Sequence, residues 1–242
     1  MTTACATELR AGCDLLSANN AERHYGNEGN RAILELLGSE PKQILDVGCG
    51  SGDNARLAGE LGFNQEYYGI TLSQSEKEIA LSRMKECWVA DIETSDLHFL
   101  KERQFDAILF SHVLEHLRDP ASIVSRFVSF LRPGGTIVIA VPNVLVFRQR
   151  IKFLIGRFNY EDDGVMDSTH LRFYTYDSAD RYLLASPKLK LLKKEVEGSV
   201  PLWFLRHRLL PGRAKNWLDN KGCDLFPNLF GGQVLLKAQK LA

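Results

Sequence analysis

The sequence predicts an α/β fold, a doubly wound, mostly parallel sheet with helices on both faces. Three observations carry this. Short apolar runs rich in β-branched residues recur through the first two thirds of the chain: QILDVG from Gln43, FDAILFS from Phe105 and TIVIAV from Thr136. Between them lie stretches whose apolar residues fall at helical spacing. The strand runs are almost continuously apolar rather than alternating, the pattern of strands buried on both faces. The 242 residues suit one domain, or one domain with a cap. With 45% hydrophobic and 25% charged residues, a disordered, collagen-like or coiled-coil chain is excluded.

Each element follows in order. Residues 1–24 are polar and weakly patterned and read as an N-terminal arm, with the domain proper at 25–242. Residues 30–37 (NRAILELL) have helical spacing and stop at Gly38. Pro41 introduces the first strand, and a helix over Asn54–Leu61 follows its glycine-rich end. Glu66–Thr71 is a second strand. Ser73–Lys85 is helical, and Ser73 with Glu76 makes a capping box. Cys87–Ala90 is a short strand ending at Asp91, and Phe105–Ser111 is a buried one. The helix over Ala121–Leu131 is stopped by Pro133-Gly134-Gly135, after which Thr136–Val141 forms the fifth strand. Beyond Pro142 the rhythm changes. Segments 142–176 and 197–230 read as cap insertions bearing on substrate, separated by a helix at Asp177–Leu184. Leu189–Val196 and Gln233–Ala238 are the last strands.

Cys5, Cys13, Cys49, Cys87 and Cys223 are odd in number and scattered, with no CxxC pair. Neither a zinc site nor a disulfide framework is expected, and no metal; reduced thiols in a cytoplasmic protein are. No secretory signal and no membrane-spanning run is read from the sequence. The neutral net charge hides a division. Residues 1–121 hold 11 Lys and Arg against 20 Asp and Glu, a balance of −9, and the remainder of the chain carries +9. Either an anionic partner or two solvated faces fits this. Nucleic acid is a poor candidate, since no RNA-binding motif occurs.

The most informative motif is Leu45-Asp46-Val47-Gly48-Cys49-Gly50-Ser51-Gly52-Asp53, which follows a strand and opens a helix. Glycines there let a ligand approach the backbone. A dinucleotide loop would want glycine at position 53 and an acid ending the next strand; here stand Asp53 and Thr71. No Gly-Lys-Ser/Thr follows, so it is no P-loop. Asp46 would repel a phosphate but suits a ligand carrying an ammonium or sulfonium group.

ILDVGCGSG resembles the first motif of the class I S-adenosylmethionine-dependent methyltransferases. Ala90-Asp91-Ile92-Glu93, FDAILFSHVLEHLRDP and LRPGGTIVIAVPN agree in order and spacing over residues 25–185. The resemblance implies a seven-stranded, Rossmann-like sheet with a last antiparallel strand, and S-adenosylmethionine as cofactor. It places Asp46, Gly48 and Gly50 along the methionine part, Asp91 on the adenine amino group and the Ile92 amide on a ring nitrogen. Ser111 and His112 stand beside the methionine moiety. Most relatives hold the ribose with an acid where this chain has Thr71; the Thr71-Leu72-Ser73 segment is similar to that of cyclopropane fatty acid synthases, which moves the ribose contact to Glu76. The alternative for Glu76 is a helix cap alone.

For the acceptor, His112 and His116 flank Glu115 after the fourth strand, at the sheet edge where ligands bind. Either is a candidate general base, with a structural histidine as the alternative. Asp167-Ser168-Thr169-His170-Leu171-Arg172-Phe173-Tyr174 packs an acid, a base, a guanidinium and a phenol into eight residues and resembles the D-x-T-H-x-R-F-Y segment of bacterial methyltransferases acting on glycans and small molecules. Asp167, His170, Arg172 and Tyr174 are substrate-side candidates; the alternative is an Asp167–Arg172 pair that fixes the loop. Tyr25 belongs to an N-terminal lid. His24 and His98 read as surface residues. Phe147–Arg157 and Leu202–Arg213 mix apolar and basic residues, fitting a membrane surface, a lipid-linked or phosphorylated acceptor, or a plain capping helix. The expected activity is methyl transfer to a hydroxyl of a sugar or related metabolite. An amine acceptor is the alternative, and a MetW-like non-catalytic partner protein is a second.

Overall fold

The computed structural model describes residues 28–201 and 212–241. The N-terminal arm, Tyr25, His24 and most of the second basic segment lie outside the described residues.

Asn30 caps α1 (Arg31–Leu37) by accepting from the Ile33 amide, and Gly38 ends it. Then come β1 (Gln43–Val47), α2 (Asp53–Glu60), β2 (Glu66–Thr71), α3 (Gln74–Ala80) and β3 (Glu86–Val89). β4 (Phe105–Ser111), α4 (Pro120–Phe127) and β5 (Leu131–Pro142) follow. The cap helix is α5 (Phe147–Leu154), and α6 (Tyr176–Leu183) and β6 (Leu189–Gly198) return to the sheet. α7 (Gly212–Leu225), α8 (Pro227–Phe230) and β7 (Gly231–Lys240) complete the described chain.

The seven strands form one sheet in the order β3-β2-β1-β4-β5-β7-β6. The first five are parallel, and β7 runs antiparallel to both β5 and β6. Register sets the site: Val47 pairs with Ile70 and Phe110, Thr71 with Val89, and Ser111 with Ala140. The carboxyl ends of the parallel strands therefore share one edge. The strand order reverses between β1 and β4, where an open α/β sheet leaves its ligand crevice.

Two cores, one on each sheet face, explain the near-continuous apolar strands. Leu45, Ile108, Phe110, Ile137 and Leu236 pack on one side with Phe127 and Leu183. Ile44, Leu109, Val138 and Leu235 pack on the other with Ile33 and Leu34. Burial of such side chains contributes roughly 1.5–3 kcal/mol each.

Three local expectations change. The third helix ends at Ala80 rather than Lys85. There Ser82 turns both its amide and its hydroxyl onto the Ile79 carbonyl, and such hydroxyl bonds compete with helix propagation. Pro133-Gly134-Gly135 does not precede β5 but lies within it: the pairing slips between Phe105–Leu131 and Ala107–Thr136, so the strand bulges around the three residues. The capping box at Ser73 is only half formed. Ser73 Oγ accepts from the Glu76 amide at 3.4 Å, while the Glu76 side chain turns away to Thr71.

Candidate active site

The loop after β1 forms the floor. Its first glycine is required by packing: with φ at +74°, Gly48 lies where an added Cβ would come within 2.4 Å of Val113 Cγ2. Gly50 differs. At φ +52° an added Cβ would meet nothing within 4 Å except Glu76 Oε1 at 3.8 Å, so its backbone borders open space faced by a carboxylate.

Asp46 is fully buried at the end of β1. Asn54 Nδ2 donates to its Oδ2 at 3.0 Å, and Oδ1 has no partner. Desolvation drives its pKa up to about 7, against the hydrogen bond from Asn54. A half-satisfied buried carboxyl is costly to keep, and a cationic ligand would relieve it.

Thr71 and Glu76 close the next side. Thr71 Oγ1 donates to Glu76 Oε2, so the threonine that stands where an acid is usual orients the acid five residues on. Asp91 lies just beyond β3 with both oxygens in use, Oδ1 accepting from the Glu93 amide at 2.8 Å and Oδ2 from Thr94 at 2.9 Å. Each oxygen keeps a further lone pair, and the residue is exposed. Ile92 is buried, and Arg126 holds its carbonyl at 3.2 Å.

A polar chain links this floor to the histidines. Asn54 accepts from the Asn30 amide, Asn30 Nδ2 donates to Gln233 Oε1 at 2.8 Å and reaches Ser111 Oγ at 3.4 Å, and Gln233 Oε1 also faces His112 Nε2 at 2.9 Å. An amide oxygen only accepts, so His112 donates from Nε2. Its Nδ1 faces Glu115 Oε1 at 3.3 Å. Burial lowers the His112 pKa, but the Glu115 carboxylate and the Gln233 bond outweigh it and raise the net value. His112 thus suits an imidazolium with no lone pair to offer. Its φ of +56° is rare for a residue with a Cβ and marks a constrained strand end.

His116 is arranged the opposite way. Thr169 Oγ1 donates to Asp167 Oδ1 at 2.6 Å, so the proton in its 3.0 Å contact with His116 Nδ1 must belong to the imidazole. Nε2 of a neutral His116 then carries the lone pair. Burial, the largest influence, lowers its pKa, and His170 adds to this. His170 is turned likewise, Nδ1 donating to the Val165 carbonyl at 3.1 Å. The two rings meet edge to face, their centroids 4.7 Å apart. Glu115, 1% exposed, lies beneath with Oε2 unpartnered.

The 167–174 loop is pinned over this group by the Leu171 and Arg172 amides, which both donate to the Glu115 carbonyl. Asp167 bonds Thr169 rather than Arg172, and Arg172 donates to the Arg118 carbonyl at 2.6 Å, so the expected alternative of an Asp167–Arg172 pair is not formed. Tyr174 is buried with its hydroxyl unpartnered, and burial pushes its pKa up. Glu115, Thr169, Asn30 and Gln233 are the site residues that sequence reasoning did not single out. Asn30 carried a signal as a helix cap ahead of an apolar run; Gln233, in a strand of the distant C-terminus, carried none. The described cysteines Cys49, Cys87 and Cys223 are free and buried. A hollow of about 460 Å³ lined by Gln43, Tyr68, Arg103 and Arg132 lies at the opposite edge, where the strands begin.

A methyltransferase domain family model matches residues 21–185. The chain belongs to this family. The open backbone at Gly50, the half-satisfied Asp46 and the oriented Glu76 fit S-adenosylmethionine, the cofactor of this methyltransferase fold. Among curated relatives, a ubiquinone biosynthesis O-methyltransferase of Alkalilimnicola ehrlichii is 34% identical over 45% of this chain and 44% of its own length. Phosphoethanolamine N-methyltransferase 1 of Arabidopsis thaliana is 32% identical over 48% of this chain and 24% of its own. The chain thus spans less than half of each of these relatives. Among solved structures, a SAM-dependent methyltransferase from Archaeoglobus fulgidus superposes with a TM-score of 0.53 at 21% identity, covering 84% of this chain and 87% of that one. Among the described residues no helix is long and apolar enough to cross a membrane.

Proposed function

We propose that the chain transfers the methyl group of S-adenosylmethionine to a hydroxyl oxygen of a small molecule, a sugar or related metabolite. The observation that carries this is the fixed tautomer of His116, whose Nε2 lone pair stands at the carboxyl edge of β4, where the acceptor would lie. S-adenosylmethionine, when bound, supplies an electrophilic methyl carbon. The chain's own residues divide the remaining work. Asp46 would face the cofactor's ammonium group and Gly48 and Gly50 its methionine backbone, with Ser111 beside them. Glu76, steered by Thr71, would accept from the ribose hydroxyls, while Asp91 and the Ile92 amide would meet the adenine.

His116 takes the acceptor's proton, and Thr169 and Asp167 hold its Nδ1–H and steady the imidazolium that forms. His112, held by two acceptors, keeps the glycine-loop side rigid. His170, Arg172 and Tyr174 bound the acceptor's space, and water exclusion falls to the 142–176 cap. The exposed Leu154, Ile155 and Phe158 beside Arg148, Arg150 and Arg157 support an acceptor that is anionic or lipid-linked. A nitrogen acceptor is supported by the similarity to the Arabidopsis enzyme, and by the buried, unpartnered Glu115 oxygen, which would suit an amine.

The test is methyl transfer from radiolabelled S-adenosylmethionine to panels of hydroxylated and amine acceptors, with S-adenosylhomocysteine affinity measured alongside. Turnover with hydroxyl acceptors that rises with pH and is lost in His116→Ala supports the oxygen reading. Turnover confined to amines replaces it. Tight cofactor binding with no turnover on either panel favours the MetW-like partner role.

A further inference from the structure

The space between Glu115, His116 and His170 has the donor set of a metal site. One ligand atom from each lies within 4.8 Å of the others. Both imidazoles are turned so that Nδ1–H is occupied, His116 on Thr169 and His170 on the Val165 carbonyl, which leaves the two Nε2 lone pairs. Metal-bound histidines are oriented in this way, the second nitrogen donating to a carbonyl or towards a carboxylate. Here the carboxylate is Asp167, reached through Thr169.

The independent observation is Glu115. It is 1% exposed, and Oε2 has no hydrogen-bond partner. Its other oxygen lies 3.3 Å from His112 Nδ1 and 4.0 Å from His170 Nε2. A carboxylate oxygen left bare in the interior is expensive unless a cation reaches it.

We propose that Glu115, His116 and His170 bind a divalent transition-metal cation, of the zinc, manganese or cobalt class, with open positions towards the acceptor. Two imidazoles and one carboxylate are the protein ligands of open catalytic sites, with bonds of about 2.0–2.2 Å, so the three side chains close slightly around the ion. The inference rests on the oxygen-acceptor reading of the same site and replaces its base: with the ion bound, His116 is a ligand rather than the general base, and the acceptor's hydroxyl would bind an open position, where the cation would lower its pKa. The acceptor's proton then leaves to solvent or to a base other than His116. The ligands come from segments more than fifty residues apart, so no spacing motif announces them.

The experiment titrates the full chain, stripped with chelator, with Co²⁺, Zn²⁺ and Mn²⁺. Calorimetry gives stoichiometry, and the visible bands of Co²⁺ report nitrogen and oxygen ligation. We expect one equivalent bound, at least tenfold weaker in the isosteric Glu115→Gln and in His170→Asn, and roughly 10–100-fold weaker in Thr169→Val, which removes only the support of His116. Circular dichroism confirms that each variant is folded, and Thr169→Val keeps all three ligands should the others fail to fold. No saturable binding, or binding indifferent to Glu115→Gln and Thr169→Val, overturns the site. Methyl transfer is assayed on the same samples. Full turnover in chelated protein that binds no metal overturns this inference and leaves the reading of function standing. Stoichiometric metal binding without methyl transfer to any acceptor upholds this inference and removes that reading.

Discussion

The two sides of the crevice are built by different means. The candidate cofactor floor comes from two short stretches: Asp46, Gly48 and Gly50 lie within five residues, and Thr71 at the end of β2 meets Glu76 in the first turn of α3. The acceptor wall is assembled from afar. His116 and Thr169 are 53 residues apart, and His112 and Gln233 are 121 apart. The floor is acidic, and the chain beyond it is basic. On the proposed reading, cofactor binding would be a local property of a strand–turn–helix unit, whereas handling the acceptor would depend on how loops dock across the sheet. The two should therefore fail separately.

The largest separation is expected at His116. His116→Ala should lower kcat by roughly 10²–10⁴-fold, the usual contribution of a positioned base or of the ligand that replaces it in that role. S-adenosylhomocysteine affinity should stay within about twofold, since the wall does not hold the cofactor. A comparable fall in cofactor affinity, measured by calorimetry, breaks the division.

The converse lies at Asp46. Asp46→Asn should weaken cofactor binding by roughly 10–100-fold, the loss of a charged partner. It should also stabilise the ligand-free protein. The native carboxyl holds its proton up to about pH 7, whereas the unfolded chain releases it near about pH 4. Across that window the native state binds more protons, so wild-type stability falls as pH rises. The variant should lack this slope and melt higher at pH 8, and wild-type cofactor affinity should climb through pH 7 as the carboxylate forms. A parallel pair of melting curves against pH would show that Asp46 stays ionised.

The same contrast governs what the sequence disclosed. The central strands were readable because β1, β4 and β5 are buried on both faces and leave apolar runs, the exposed edge strand β6 by its leucine and valine content, and the glycine loop because it is contiguous. The sequence pointed to Glu76 through the Thr71-Leu72-Ser73 segment, but the hydrogen bond from Thr71 to Glu76 emerged only in the structure. The state of the histidines was not readable either. His112 and His116 look alike in HVLEH, and only contacts made in the folded chain tell them apart: Glu115 and Gln233 raise the pKa of the first against its burial, while Thr169 fixes the Nδ1–H tautomer of the second. The β5 bulge was missed because Pro and Gly stop most strands, and here the sheet absorbs them by a slip of register.

Glu76 sharpens the account of the floor. Glu76→Gln should keep the Ser73 cap, which uses only the position 76 amide, and so leave the melting temperature within a few degrees. Cofactor affinity should still fall about tenfold, because a carboxylate accepts from two hydroxyls where an amide offers one oxygen. Lost stability with unchanged affinity would make Glu76 a structural partner of Thr71 and nothing more.

The smallest effect tests whether the charge division reaches the acceptor. Arg172 is exposed, and one of its nitrogens is held by the Arg118 carbonyl, so the rest of the fork is directed while keeping free donors. Arg148, Arg150 and Arg157 are exposed along and just beyond α5. Such a surface would draw an anionic acceptor towards a wall whose own carboxylates, Glu115 and Asp167, are buried. Arg172→Ala should then raise KM about three- to tenfold with kcat and cofactor affinity little changed, since the side chain binds charge rather than the reacting oxygen. Raising salt well above about 0.1 M, where the screening length drops below about 10 Å, should lower wild-type kcat/KM more steeply than that of the variant. A neutral acceptor turned over equally at low and high salt, by wild type and variant alike, would mean that the two halves differ in charge for reasons of solvation only. The asymmetry between floor and wall would then rest on the histidines alone.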